Sequence, residues 1–171
     1  QFASRMNVLC RQDATSEEEK YAVLAFNIEK FRLINERFGM QEGDLCLKIL
    51  ADILSQAFIE GIVCRTPVDS FYVLIRIYPM DHATHGFRNL LAEQMRKEWN
   101  CVVNIGGCLV PSEGWKPSVC MDHAMQACRS LSRFNGKRFA WYDKELAGEM
   151  SFGRCIEGHL EATFHKTRHK D

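Results

Sequence analysis

The sequence predicts a single α/β domain in which helices pack against one sheet with a hairpin at its centre. Short apolar runs alternate with segments whose apolar residues recur at helical spacing. Two of these runs, at residues 61–65 and 70–77, are separated by only four residues, and this short connection predicts the hairpin. The chain has 171 residues and is 46% hydrophobic, which suffices for one globular core.

The predicted strands are the short apolar runs. The first of them, YAVLAF, contains no charged residue, which is typical of a strand buried on both faces. The five predicted strands are residues 21–26, 61–65, 70–77, 101–110 and 138–143. Residues 66–69 form the turn of the hairpin, and Pro67 suits the second position of a type I turn because its φ angle is already restricted.

Helices are predicted where apolar residues recur every three or four positions. Phe31, Ile34 and Phe38 share one face of a helix over 29–38, which Gly39 is expected to end. Asp44 is expected to open the next helix, which continues to Phe58. Further helices are predicted at residues 1–10, 82–99 and 117–134, and in part at 144–150 and 157–163. The charged segment 13–20 is predicted to be a loop.

Charge and hydropathy argue against two classes of partner. The net charge is zero and the pI is about 7.1, so no basic surface is expected for nucleic acid or an anionic membrane. No apolar run approaches the roughly 20 residues that cross a bilayer, and no signal peptide precedes the first strand. Because the chain begins with Gln1, we expect its start to be truncated.

Eight cysteines raise the alternatives of disulfides or a zinc site. They form no CxxC pair and fall mostly in apolar stretches, so we expect reduced thiols packed in the core, as suits a cytosolic domain. A metal patch of histidines is the other alternative, but surface positions are the commoner explanation. The histidines concerned are His82, His85, His165 and His169.

Motif residues occur in four places along the chain, in an order that resembles one known family. These places are Phe31-Arg32 with Asn35 and Gly43-Asp44; the hairpin Arg65-Thr66-Pro67-Val68-Asp69-Ser70-Phe71; Asp122-x-Ala124-Met125; and Trp141-Tyr142-Asp143. Their order and spacing resemble the GGDEF (diguanylate cyclase) domain over residues 21–143. The resemblance implies a nucleotidyl cyclase-like fold, with a mixed, mainly antiparallel sheet of about five strands.

Active members of that family pair two domains, each holding one GTP, and condense the nucleotides into cyclic di-GMP. The reaction needs divalent metal ions, which carboxylates at the end of the first strand and in the signature turn would hold. Here those two positions are Asn27 and Ser70, and Asp69 is the one remaining candidate metal ligand of the turn. A rearranged metal site formed by Asp69 with Glu29 is left open.

The glycine pair of the signature turn is replaced as well. Pro67 has no N–H to offer a ligand, and Val68 places a branched side chain where glycine would leave room. The family's product-inhibition motif, an Arg-x-x-Asp before the turn, is absent, because residues 58–62 are FIEGI. Together with Asn27 and Ser70, these replacements predict a degenerate domain with no catalytic residues.

The residues that would contact the nucleotide are partly retained. Asn35 and Asp44 occupy the family positions that recognise guanine, whose N–H donors a carboxylate accepts and whose acceptor suits an amide. Asp44 could instead be a helix N-cap or first-turn acid, and Asn35 an ordinary polar helix residue. Arg129 falls at the position of a phosphate-binding lysine. Arg133 and Lys137 cannot be aligned with the family, and all three could be solvated charges.

The resemblance leads to one functional hypothesis and two alternatives. The hypothesis is a catalytically inactive, regulatory and GTP-sensing GGDEF domain in a bacterial cyclic di-GMP signalling protein of the cytoplasm. The alternatives are an active diguanylate cyclase and a pure dimerisation or scaffold module. Residues 1–143 would form the GGDEF-like domain and 144–171 a helical tail or linker. Expected partners are GTP, a second copy of the chain and an attached sensory or EAL (phosphodiesterase) domain, and Mg²⁺ enters only if nucleotide binding or activity is retained.

Overall fold

A five-stranded sheet forms the centre of the molecule. The computed structural model describes residues 2, 4–6, 8, 20–77, 95, 97, 99–111, 116–131 and 138–142. The strands are β1 (Lys20–Ile28), β2 (Ile62–Arg65), β3 (Ser70–Ile77), β4 (Val103–Leu109) and β5 (Phe139–Trp141), in the spatial order β2-β3-β1-β4-β5. Every pairing is antiparallel except β4 with β5, so the predicted mixed, mainly antiparallel sheet is confirmed.

Three helices are described in full: α1 (Phe31–Phe38), α2 (Met40–Ala57) and α3 (Pro117–Ser130). The predicted start of α2 at Asp44 is wrong, because the helix begins at Met40. Gly39 separates α1 from α2 with a φ of 91°, and its N–H donates to the carbonyl of Asn35 over 3.0 Å. Asp44 therefore lies in the second turn of α2, and the alternative that it is an N-cap or first-turn acid is also wrong.

The boundaries of β1 and β4 also differ from the predicted boundaries. Strand β1 continues through Asn27 to Ile28, so that α1 begins only at Phe31, after a turn of Glu29 and Lys30. Strand β4 is shorter than predicted and covers seven residues. Pairing with neighbouring strands, rather than local hydrophobicity, sets these ends.

Alternate residues of β1 enter two separate apolar layers. Leu24 and Phe26 pack with α2 on one face of the sheet, whereas Val23 and Ala25 pack with α3 on the other. All four side chains are fully buried. This arrangement confirms the prediction of a strand buried on both faces. It also places the residues at the end of β1 between the two helical layers.

Five of the six described cysteines are buried within these layers, and Cys64 is partly exposed. The predicted helices over 1–10 and 82–99 are helical at their described positions, which are residues 2, 4–6 and 8 and residues 95, 97 and 99. Several predictions lie outside the described residues: residues 13–19 of the predicted loop, the tail helices, the four histidines, Arg133, Lys137 and Asp143. The prediction that the loop extends to Lys20 is wrong, because Lys20 pairs with Ile77 as the first residue of β1. No helix in the described ranges has both the length and the apolar character needed to span a bilayer.

Candidate functional site

The two positions at which the family carries metal ligands meet across the sheet. The antiparallel register of β1 and β3 places Asn27 opposite Ser70, so both side chains project from the face that carries α3. The Asn27 Nδ2 donates a hydrogen bond to Ser70 Oγ over 3.1 Å. Ser70 is buried and Asn27 half-buried. The amide and the hydroxyl therefore form a neutral, hydrogen-bonded pair.

The hairpin turn is closed by Thr66. Its backbone N–H and its hydroxyl both donate to the carbonyl oxygen of Ser70, over 2.9 and 3.0 Å. Ser70 Oγ in turn donates to Asp69 Oδ1 over 3.3 Å, which connects Asp69 to the Asn27–Ser70 pair. Pro67 and Val68 form the exposed tip, and Val68 is 70% exposed. The turn joins the two predicted strands as expected, and its type I geometry stays a prediction.

We expect Thr66→Val to lower the free energy of unfolding by about 1 kcal/mol, because it removes the hydroxyl bond without changing the size of the side chain. Thermal unfolding followed by circular dichroism should show a midpoint lower by about 2–4 °C. Thr66→Ser keeps the hydroxyl and serves as the control. An unchanged midpoint in Thr66→Val, with a loss in Thr66→Ser, would show that the methyl group, and not the hydrogen bond, stabilises the turn.

The donors at this place do not fit a magnesium site of the kind that the family's chemistry implies. Asn27 directs an N–H, rather than an oxygen, at the hydroxyl of Ser70, and Asp69 supplies the one carboxylate of the cluster. Within the described ranges, no three histidine, cysteine or acidic side chains come together as a metal site would require. Glu29 is directed elsewhere: its Oε2 lies 3.6 Å from Arg138 Nη1, on the β5 side of the sheet.

A further polar residue beside this cluster was missed by the sequence analysis. Asn104 lies opposite Asn27 in the register of β1 and β4, and it is only 3% exposed. Its Oδ1 has no hydrogen-bond partner, while its backbone carbonyl accepts from Cys128 Sγ over 3.1 Å. Burial, the largest cause, raises the pKa of Cys128 to about 12, so this thiol remains protonated. The available signal was an asparagine inside the fourth predicted strand, which is otherwise apolar.

Of the proposed guanine-recognising residues, Asn35 packs against Gly43, and Asp44 follows Gly43 in the sequence of α2. A Cβ added at Gly43 would collide with Asn35 Oδ1 and would lie 3.2 Å from the ring of Phe31. The Asn35 amide therefore rests directly on the α2 backbone, next to the exposed Asp44. The Gly43-Asp44 motif thus has a geometric reason, because only glycine leaves room for that amide.

Arg129 lies in the last turn of α3 and is exposed. It is close enough to Tyr72 of β3 to affect the titration of the phenol: burial raises the pKa of Tyr72, the Asp122 carboxylate adds to that rise, and Arg129 opposes it. Tyr72 is two residues from Ser70 and on the same face of the strand. Arg129 is therefore on the α3 side of the sheet, the face from which Asn27 and Ser70 also project.

The comparisons with known proteins agree with this fold. The family model described as diguanylate cyclase, GGDEF domain, matches residues 1–138. Among solved structures, the GGDEF domain of DgcB from Caulobacter crescentus in complex with c-di-GMP is 16% identical, with a TM-score of 0.63 over 83% of this chain and 86% of that one.

Two further structures are similar. The active GGEEF domain of a diguanylate cyclase from Vibrio cholerae is 18% identical, with a TM-score of 0.58 over 83% of this chain and 92% of that one. The GGDEF domain of YfiN (TpbB) from Pseudomonas aeruginosa is 26% identical, with a TM-score of 0.57 over 81% and 92% of the respective chains. No curated protein sequence matches the chain. Because the family model spans most of the sequence and the sheet has the same architecture, this chain belongs to the GGDEF diguanylate cyclase family.

Proposed function

We propose that this domain is a catalytically inactive GGDEF domain that acts as a regulatory, GTP-sensing module in a bacterial cyclic di-GMP signalling protein. The observation that carries the proposal is the 3.1 Å hydrogen bond between Asn27 and Ser70. Condensation of two triphosphates requires metal ions held by anionic oxygens. The neutral pair supplies no charge for this, because its hydrogen bond joins an amide N–H to a hydroxyl oxygen.

The turn supports the same conclusion independently. A nucleotide that approaches the signature turn needs backbone N–H groups and space. Pro67 offers no N–H, and the Val68 side chain occupies the exposed tip. The loss of the metal-binding charges and the loss of backbone access at the turn affect different parts of the reaction. Restoring the charged residues alone, or the glycines alone, would therefore not restore catalysis.

Nucleotide sensing is supported by the arrangement around Gly43. The Asn35 amide is held against α2, and the Asp44 carboxylate is exposed beside it. The carboxylate can accept hydrogen bonds from the N–H donors on the Watson–Crick edge of guanine, and the amide can donate one to the acceptor beside them. Because GTP is the expected ligand, we expect the domain to lie in the cytoplasm, attached to a sensory or EAL domain, with residues 144–171 as the linker.

Product analysis tests the absence of catalysis. The purified chain incubated with GTP and Mg²⁺ should form no cyclic di-GMP detectable by chromatography, whereas an active cyclase run in parallel should. Calorimetry should nevertheless detect GTP binding, and ATP should not compete for the site. Clear turnover would overturn the inactive assignment, and the absence of heat at millimolar GTP would reject sensing.

Two substitutions should separate GTP binding from folding. Asp44→Ala removes a charged hydrogen-bond acceptor and should weaken GTP binding about tenfold or more. Gly43→Ala places a methyl group where the Asn35 amide rests, so it should also weaken binding. Its gain in helix propensity, about 1 kcal/mol, should offset the cost of moving the amide and leave the unfolding midpoint nearly unchanged.

Asp52→Ala is the matched control, because Asp52 is an exposed acid on the same helix, about two turns beyond Asp44. It should bind GTP as the unchanged chain does. Equal binding by Asp44→Ala and Asp52→Ala would contradict the assignment of Asp44 to the nucleotide.

A second candidate function is a dimerisation module, because the junction of α1 and α2 exposes Phe38, Met40 and Leu45. Sedimentation over a range of concentrations distinguishes it from a monomeric sensor. A dimer that forms without GTP and is weakened by Met40→Glu would favour this alternative.

A further inference from the structure

A cleft of about 360 Å³ lies on the side of α1 away from the candidate guanine site. It is bounded by α1, by residues 99–102 before β4, and by Arg138 before β5. Leu33 and Arg37 line it and lie four residues apart, hence on one face of the helix. Asn35, between them, faces α2 instead. We propose that this cleft is a second ligand site, which binds a small organic phosphate with an apolar body.

The charges of the cleft favour a dianion. Three cationic side chains, Lys30, Arg37 and Arg138, face it together with one carboxylate, Glu29, so positive charges exceed negative charges by two. Glu29 is paired with Arg138 at 3.6 Å. In the described part of the chain, no ion pair is formed by Lys30 or Arg37. Guanidinium groups bind phosphate with two parallel hydrogen bonds, which makes a phosphate ester a better match than a single carboxylate.

The backbone of the cleft is held in an unusual conformation. Lys30 has a φ of 57° and Asn100 a φ of 52°, and these are the non-glycine residues with positive φ among those described. Both line this cleft, although they are far apart in sequence. Asparagine tolerates the left-handed region, but lysine has no such preference. Residues kept in sparsely populated backbone conformations concentrate at ligand sites, where the conformation positions a binding group.

The apolar part of the lining indicates what the phosphate would be attached to. Leu33 is 53% exposed and Phe38 43% exposed, so large apolar surface borders the cationic groups. Trp99 contributes a rigid wall, because its Nε1 donates to Glu42 Oε2 over 3.2 Å. The volume of the cleft is at the lower end of the range for small-molecule sites, which suits a phosphomonoester with one or two rings.

The test uses 1-naphthyl phosphate, added to the full 171-residue chain, with binding measured by calorimetry and by amide chemical shifts. We expect saturable binding, with the largest shifts at Lys30, Arg37 and Asn100. Inorganic phosphate, which has only the anionic group of the probe, and 1-naphthol, which has only its rings, should each bind at least about tenfold more weakly than the probe. Asp44→Ala should bind the probe unchanged, because this site is separate from the candidate guanine site.

Arg37→Gln should weaken binding of the probe about tenfold, because it removes a charged donor while the exposed helix face tolerates the change. Arg32→Gln is the matched control: Arg32 is an exposed arginine on the same helix that pairs with Glu36 at 2.6 Å and does not line the cleft. Equal weakening in both variants would mean that the probe responds to general surface charge, and would overturn the proposal.

Lys30→Gly gives an independent test. Glycine adopts positive φ freely, so the unfolding midpoint of this variant should be about 2–4 °C higher. Its binding of 1-naphthyl phosphate should be weaker, because the cationic side chain is lost. A rise in stability with unchanged probe affinity would contradict a binding role for Lys30. Probe binding that moves none of the three resonances at Lys30, Arg37 and Asn100 would overturn the proposal as a whole.

Discussion

The double variant Asn27→Asp, Ser70→Glu is expected to make the stability of this domain depend on magnesium. The substitutions place two carboxylates on adjacent strands, where Asn27 and Ser70 now share a hydrogen bond. Without metal, the new carboxylate at the buried position 70 and the one at the half-buried position 27 repel each other, and we expect the free energy of unfolding to fall by about 3 kcal/mol. With Mg²⁺ at a hundred times its dissociation constant, about 2.7 kcal/mol should be recovered.

The effect of pH on this variant has a definite sign. Burial and mutual repulsion raise the pKa of both new carboxyl groups above their unfolded values. The penalty is therefore absent at low pH, while the folded groups are protonated, and it grows as pH rises through the unfolded and then the folded pKa. Without metal, the variant should approach the stability of the unchanged chain near pH 4 and fall furthest behind above neutrality.

Thermal unfolding with Mg²⁺ or with a chelator measures both effects. Ser70→Ala is the control, because it removes the hydrogen bond without adding charge, and should cost about 1 kcal/mol with no dependence on metal. If the unchanged chain gains as much from Mg²⁺ as the double variant does, then the neutral pair already forms part of a metal site, and the assignment of an inactive domain would be wrong.

Gly106→Ala is expected to lower the free energy of unfolding by about 3 kcal/mol, the upper end of the usual cost of overpacking. Gly106 lies in β4 directly beneath α3, and a Cβ there would collide with the backbone carbonyl of Ala124 and the backbone N of Cys128. Backbone atoms within a helix cannot rotate away, so α3 would have to move off the sheet. The unfolding midpoint should fall by roughly 6–12 °C.

The neighbouring glycine provides the matched control. At Gly107 an added Cβ would lie 2.6 Å from the ring of Trp141, a partly exposed side chain that can shift. Gly107→Ala should therefore cost clearly less than Gly106→Ala in the same chemical denaturation experiment. Equal losses would show that the side chain of Trp141 is as immobile as the backbone of α3.

The secondary structure could be predicted where one local pattern dominated. The apolar run of β1 and the hairpin of β2 and β3 were placed correctly, because a strand buried on both faces contains a continuous apolar run and because only four residues connect β2 to β3. The start of α2 was misplaced, because Asp44 is a good N-cap residue by type, whereas Gly39 ends α1 and begins α2 without a capping side chain. The turn at Gly39 between the two packed helices, and not the N-cap preference of Asp44, sets the start of α2.

The candidate sites divide in the same way. Asn27, Asp69, Ser70, Asn35 and Asp44 could be identified from their types and spacing, because the family's motifs are contiguous in sequence. Asn104 could not, because it reaches Asn27 only through the register of β1 and β4. The cleft beside α1 could not either, because Lys30, Asn100 and Arg138 come from three distant segments.

The family, the order of strands and helices, and the presence of Asn27, Ser70, Pro67 and Val68 at the family's charged and glycine positions could be recognised from the sequence. These are properties of residue type and spacing, which a chain carries before it folds. The folded structure was needed to show that Asn27 donates a hydrogen bond to Ser70, that Gly43 makes room for Asn35, and that Gly106 allows α3 to pack closely on β4. The reason is physical: each of these facts is a distance between residues of different elements, and packing alone sets such distances.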